Sequence, residues 1–275
     1  MRRKFKRLTA FLLSAAMVFP FFGEYPSGTF DIDWGFDWSV SAADALTDNT
    51  TGVTLSDSDS DGYYDIGTAD ELYAFANIVN AGNVSVNAEL TENITVNSGD
   101  LSTYNGTDSV SWREWTPIGN SSNRYTGIFD GNNKTISGLY FNNTSQKYVG
   151  LFGCLGDGEI KNVGVVNSYF NGKHYVGGVC GDKYEGTITN CYNTGTVSGD
   201  SDVGGVCGFI SGTITNCYNT GTVVGVDFVG GVCGYNTTSD TGSYTITNCY
   251  NTGNVTATGD SARVGGVCGY NFGCH

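Results

Sequence analysis

The sequence predicts an all-β chain, a right-handed parallel β-helix with a short N-terminal capping helix, and three observations carry that reading. A decapeptide recurs as ITNCYNTGTV at 188–197 and 214–223 and as ITNCYNTGNV at 246–255. A hexapeptide, VGGVCG, begins at Val176, Val203, Val229 and Val264, in steps of 27, 26 and 35 residues. Units of this period cannot bury their apolar faces alone and stack on their neighbours. The units are built of β-branched residues, Gly, Asn and Tyr with no helical rhythm, so each reads as one turn of strands. Near-identity between units favours parallel stacking, each strand over its own copy.

The elements follow in order. Arg2–Arg7 is basic and Leu8–Phe22 apolar, the pattern of a secretory signal rather than of a spanning helix. Residues 1–45 therefore read as a signal peptide and export region; if it stays uncleaved, it is the chain's contact with a membrane. Residues 46–67 are rich in Asp, Ser and Thr and read as an acidic linker. Within them, Asp57, Asp59, Asp61, Gly62 and Asp65 give D-x-D-x-D-G-x-x-D, with Tyr63 at the position that supplies a backbone carbonyl. Oxygen ligands at alternating positions around a Gly turn suit Ca²⁺. Calcium is thus the candidate cofactor, and the fold requires none. The loop departs from the full pattern at its twelfth position, where Thr68 stands in place of Glu.

Thr68 and Glu71 form a capping box, followed by Leu72, Phe75, Ala76 and Val79 on one face and Gly82 as a stop. This predicts a helix within 68–82 that covers the otherwise exposed edge of the first rung. Residues 83–275 make up the β-helix. Strand-like runs at Ile94–Val96, Thr135–Phe141, Val149–Phe152 and Ile160–Val166 precede the regular array. The last two form a diverged repeat, with Val149–Gly153 in the VGGVC slot and Ile160–Val163 in the ITNC slot. The chain stops at His275 after a fresh VGGVCGYN without the matching ITNC strand, so a C-terminally truncated array is expected.

The repeats resemble the GLUG motif of bacterial surface proteins, in which GG-apolar-apolar-G is followed by a short loop and an I-x-N-C-Y-like strand. Trp115–Gly119 (WTPIG) and Tyr125–Tyr140 (YTGIFDGNNKTISGLY) are similar to the segment that introduces such arrays. The resemblance covers roughly residue 61 to the C-terminus. It implies a secreted or cell-surface location and an adhesin-like role, since such repeats accompany adhesins and non-catalytic parts of large secreted proteins, including immunoglobulin-cleaving metallopeptidases. The H-E-x-x-H zinc motif of a peptidase does not occur in the sequence.

The repeated side chains have two readings each. Cys191, Cys217 and Cys249 hold one position and Cys180, Cys207, Cys233 and Cys268 another. They form either buried thiol ladders or, since rungs lie about 4.8 Å apart, inter-rung disulfides. Ile188 and Cys191 both face inward if the chain turns a corner at Asn190, with Asn216 and Asn248 stacked beneath as an amide ladder. Tyr192, Tyr218 and Tyr250 read as rung-to-rung stacks before they read as a sugar-binding stripe.

A net charge of −14 argues against nucleic-acid and anionic-lipid partners. The reading is a non-catalytic adhesion, binding or spacer region whose partner is an extracellular glycan or a surface protein. The rival is a β-helical polysaccharide lyase or glycoside hydrolase, or an accessory region of a larger secreted enzyme. That rival would use Asp200, Asp202, Asp227 and Asp260 at the corners preceding successive VGGVCG units, and paired carboxyl groups are what glycosidic hydrolysis requires.

Overall fold

Copy lies over copy throughout the array. Ile188 pairs with Ile214 and Ile214 with Ile246; Val197 pairs with Val223 and Val223 with Val255. The VGGVCG strands stack likewise, Val176 on Val203, Val229 and Val264, and Cys180 on Cys207, Cys233 and Cys268. Among the described residues the result is a solenoid of four stacked sheets whose ladders are all parallel, with one antiparallel pair as a separate two-stranded sheet. The computed structural model describes residues 45–101, 104, 111–237 and 245–272. The predicted signal and export region, but for its last residue, lies outside them.

The core is a column of small and β-branched side chains. Ile188, Cys191, Val197, Val203, Val206 and Cys207 are fully buried, as are their counterparts one rung on. Each buried Ile stabilises its rung by about 1.5–3 kcal/mol relative to exposure. Ile188 and Cys191 reach the same interior because Asn190 takes φ 55°, with Asn216 at 55° and Asn248 at 53°. This left-handed corner shifts the strand alternation by one residue, as the spacing predicts. A second set of left-handed corners was not foreseen. Tyr148, Tyr175, Asp202 and Phe228, at φ 52–64°, hold the position before the first four of these VG pairs, where the sequence offers no Gly or Asn.

The diverged repeat aligns differently from its sequence reading. Val149 pairs with Val176, but Phe152, not Gly153, pairs with Cys180. This repeat is therefore one residue shorter between the two positions, and a Phe ring fills the Cys slot. Its other strand keeps the predicted register, Ile160 beneath Ile188. Gly164 lies beneath Tyr192, and a Cβ there would collide with the Tyr192 ring.

The N-terminal end departs from the expected linker and cap. Leu46–Thr47 and Thr54–Leu55 form an antiparallel pair. Tyr64–Ile66 is already a solenoid strand, parallel to Ala88–Leu90, which pairs with Ile128–Ser137. The helix Ala69–Asn80 is thus the crossover between two parallel strands, not a segment ahead of the first rung. Its capping box is formed: Thr68 Oγ1 accepts from the Glu71 N–H, and the Glu71 carboxylate from the Thr68 N–H. The expected apolar face is buried, together with Tyr73, Ala74 and Ile78. Both sides are covered: Phe75 packs on Tyr125 and Phe129, while Asn77 donates to Asp48 beside the antiparallel pair.

Candidate functional site

The side chains with chemical versatility in the array meet their own copies. Asn190 Nδ2 donates to Asn162 Oδ1 (2.9 Å), Asn216 to Asn190 (3.1 Å) and Asn248 to Asn216 (3.2 Å). The predicted ladder therefore extends into the diverged repeat and ends on Asp130, which accepts from Asn162. A second amide ladder, Asn193–Asn219–Asn251, escaped the sequence reading. Asn193 and Asn219 are fully buried, and each closes a turn with the Gly two residues on. The N-T-G tripeptide was the available signal, since Asn bonds readily to backbone two residues ahead.

The described cysteines are free thiols. Cys191, Cys217 and Cys249 donate to the carbonyls of Thr189, Thr215 and Thr247, and Cys207 and Cys268 to those of Phe209 and Tyr270. Burial raises Cys180 and Cys233 well above the usual thiol range, so they are poor nucleophiles. Tyr192, Tyr218 and Tyr250 stack with centroids 4.8 and 5.0 Å apart and planes 2° and 5° from parallel. Rings stacked this way cover each other's faces and present only edges to solvent, which disfavours the sugar-stripe reading.

The acidic corners do not form a column. Asp227 stacks over Ser201, which stacks over His174, so Asp202 falls one position away. Burial opposes ionisation of Asp227, but the Arg263 N–H and guanidinium and the Phe228 N–H outweigh it and hold its pKa below the usual value. Burial raises Asp202, against the Ser201 hydroxyl that donates to it. Asp200 and Asp260 are exposed.

Of the predicted calcium ligands, Asp57, Asp59 and Asp61 come together, with one carboxylate oxygen of each within 4.8 Å of the others. Asp57 accepts from the Asp61 and Gly62 N–H groups, and Gly62 turns the chain at φ 90°. Burial, with Asp59, Glu89 and Asp57 nearby, raises Asp61; Glu89 is a carboxylate the sequence did not bring to this loop. The Tyr63 N–H donates to Asp61. Asp65 instead accepts from the Ser58 N–H. Thr68 brings no carboxylate to the twelfth position, and the acids that follow it are engaged elsewhere, Glu71 in the capping box and Asp70 with Arg113 (2.7 Å).

One cleft, of about 500 Å³, opens beside the first rungs. Its walls are two non-repeated loops, Glu114–Ser121 and Asn143–Tyr148, meeting the end of the helix at Asn80. The first includes the WTPIG segment: Trp115 is buried, its indole N–H donating to the Gly150 carbonyl. The second is tied by Asn143 Oδ1 to the Ser145 N–H and by the Lys173 N–H to the Gln146 carbonyl. The repeat pattern carried no signal for this cleft because, Phe141 and Tyr148 apart, its lining residues hold no repeated position.

Residues 172–198 and 199–224 each match the family described as the GLUG motif, and each match spans one full coil of the solenoid. The chain carries GLUG repeats. It is 32% identical over 155 residues to halomucin of Haloquadratum walsbyi, covering 53% of this chain and 2% of halomucin. It is 36% identical over 80 residues to a protein of Evansella cellulosilytica described as a candidate Gly-rich membrane protein, covering 28% of this chain and 9% of that one. The chain thus spans a small part of the relatives it matches. Among solved structures, it resembles a Bacteroides ovatus protein described as a candidate immunoglobulin A1 protease, with a TM-score of 0.59 and 25% identity. That likeness covers 76% of this chain and 62% of the other. The GLUG coils of this chain therefore belong to a repeat protein of parallel β-solenoid fold.

Proposed function

We propose that this GLUG-repeat chain is a secreted or cell-surface, non-catalytic adhesion, binding or spacer protein whose partner is an extracellular glycan or a surface protein. The observation that carries the reading is the use of the array's Asn, Cys and Tyr side chains. The Asn and Tyr side chains engage their own copies rung after rung, the thiols are bonded to nearby backbone carbonyls, and the acidic corners that a hydrolase would need in one column lie out of register. The signal-like N-terminus, the net charge of −14 and the halomucin relationship support an extracellular setting without nucleic-acid partners. The Asp57–Asp61 cluster supports weak calcium binding, with the remaining ligands left to water.

The solved structure described as a candidate protease favours a second reading, an accessory region of a larger secreted enzyme. The full chain probed on arrays of glycans and surface proteins tests the first reading, and selective binding is expected. Reproducible cleavage of a polysaccharide by the purified chain refutes it in favour of the β-helical enzyme.

A further inference from the structure

Stacked aromatic columns hide ring faces except at their ends. In the Tyr192–Tyr218–Tyr250 column, Gly164 lies beneath Tyr192, and each ring covers the face of the next. A second column starts with Tyr148 over Tyr175, centroids 5.2 Å apart and planes 10° from parallel. Tyr175 covers one face of Tyr148, and Tyr148 also lines the cleft. Around it stand side-chain groups that form no hydrogen bond within the described chain: the Asn143 amide NH₂, Gln146 Oε1, the Glu114 carboxylate and the Lys147 ammonium. All four residues are exposed and line the same cleft.

We propose that this cleft binds a neutral saccharide, with the half-buried Tyr148 ring that lines it as the stacking surface. The proposal rests on the binding-module reading and names where the ligand sits. A sugar ring has an apolar C–H face and a rim of hydroxyls that both donate and accept. The cleft supplies the complement, one aromatic face with donors from Asn143 and Lys147 and acceptors from Gln146 and Glu114. Glu114 and Lys147 are opposite in sign, so the site does not select strongly for a charged ligand. The volume lies within the range of small-molecule sites, roughly 300–1,000 Å³. Tyr148 is held for this purpose before any ligand arrives, since Tyr175 fixes the ring plane and the Asn143–Ser145 turn fixes the loop.

The test uses the full chain with two probes, methyl β-galactoside and methyl β-N-acetylglucosaminide, observed by saturation-transfer NMR and titration. At least one glycoside should bind, with the strongest transfer to protons of one ring face. Tyr148→Ala should weaken it by about tenfold or more, while Tyr148→Phe keeps the ring and should retain binding. Gln146→Ala, on an exposed loop that leaves the fold intact, should weaken it by a smaller factor. Tyr250→Ala should change nothing. Binding that survives Tyr148→Ala overturns the assignment, and binding that is lost in Tyr250→Ala overturns it and moves the sugar to the other column. A chain that captures a surface protein but neither glycoside overturns the saccharide site while leaving the adhesion reading standing. Hydrolysis of the glycoside overturns the non-catalytic reading on which the site rests.

Discussion

Lys183 offers the sharpest test of how the core is assigned. It lies in register between Leu155 and Ile210, is fully buried, and its Nζ has no hydrogen-bond partner. The Nζ sits in the space a side chain on Gly212 would fill. Burial pushes the ammonium down from 10.5 to about 8, only partly opposed by Cys207, Cys180, Cys233 and Glu185. That fall corresponds to a penalty of about 3 kcal/mol on the charged form. Lys183→Met replaces the amine by a side chain of similar length suited to the Leu and Ile on either side. The variant should be more stable than the wild type at pH 7 by about 2–3 kcal/mol.

The sign of the pH dependence follows from the direction of the shift. Below pH 8 the amine is charged in both folded and unfolded chains, and the full penalty applies. Between pH 8 and 10.5 the unfolded chain holds the extra proton, so wild-type stability rises with pH and the gap to Lys183→Met narrows. Urea midpoints of both proteins at pH 7 and pH 10 measure it, and the titrating Tyr and Cys residues common to both cancel in the difference. A less stable Lys183→Met at pH 7, or a gap that does not change with pH, refutes the burial of this lysine.

Three further outcomes follow. Arg124 donates to the buried Asp182 at 2.8 Å, and burial already raises that carboxyl against the pull of Arg124. Arg124→Met should therefore cost about 3 kcal/mol, the low end for a broken buried pair because Arg124 keeps some water contact. Adding Asp182→Phe should recover most of it, since Phe209 fills the same position one rung on; a cycle measured by denaturation checks this. Ile214→Asp should disrupt its rung, while Thr215→Asp on the outer side should be mild; equal losses in thermal melts contradict the inward and outward assignment. Calorimetry should detect Ca²⁺ weakly, at roughly 10⁻⁴–10⁻³ M, with Asp59→Ala abolishing the heat; a signal surviving that change places the ion elsewhere.

Repetition by itself determined the parallel stacking, because near-identical strands make like-on-like ladders of Ile, Val, Cys, Asn and Tyr the consistent arrangement. It also determined the corner at Asn190, since only a left-handed residue lets Ile188 and Cys191 share one interior. The helix was legible from its capping box and 3.6-residue pattern. The tertiary structure decided what depends on partners distant in sequence. Thr54–Leu55 and Tyr64–Ile66 became strands because Leu55 and Ile66 are buried against the helix and first rungs, a contact no local composition reveals. The Phe152 register, the burial of Lys183 and the Arg124–Asp182 pair depend on which residue falls one rung away. The cleft exists because two loops of unrelated sequence meet over a Tyr148 ring that Tyr175 holds flat. Periodicity encodes the interior of a solenoid; its unique surfaces come from insertions that have no copy to be compared with.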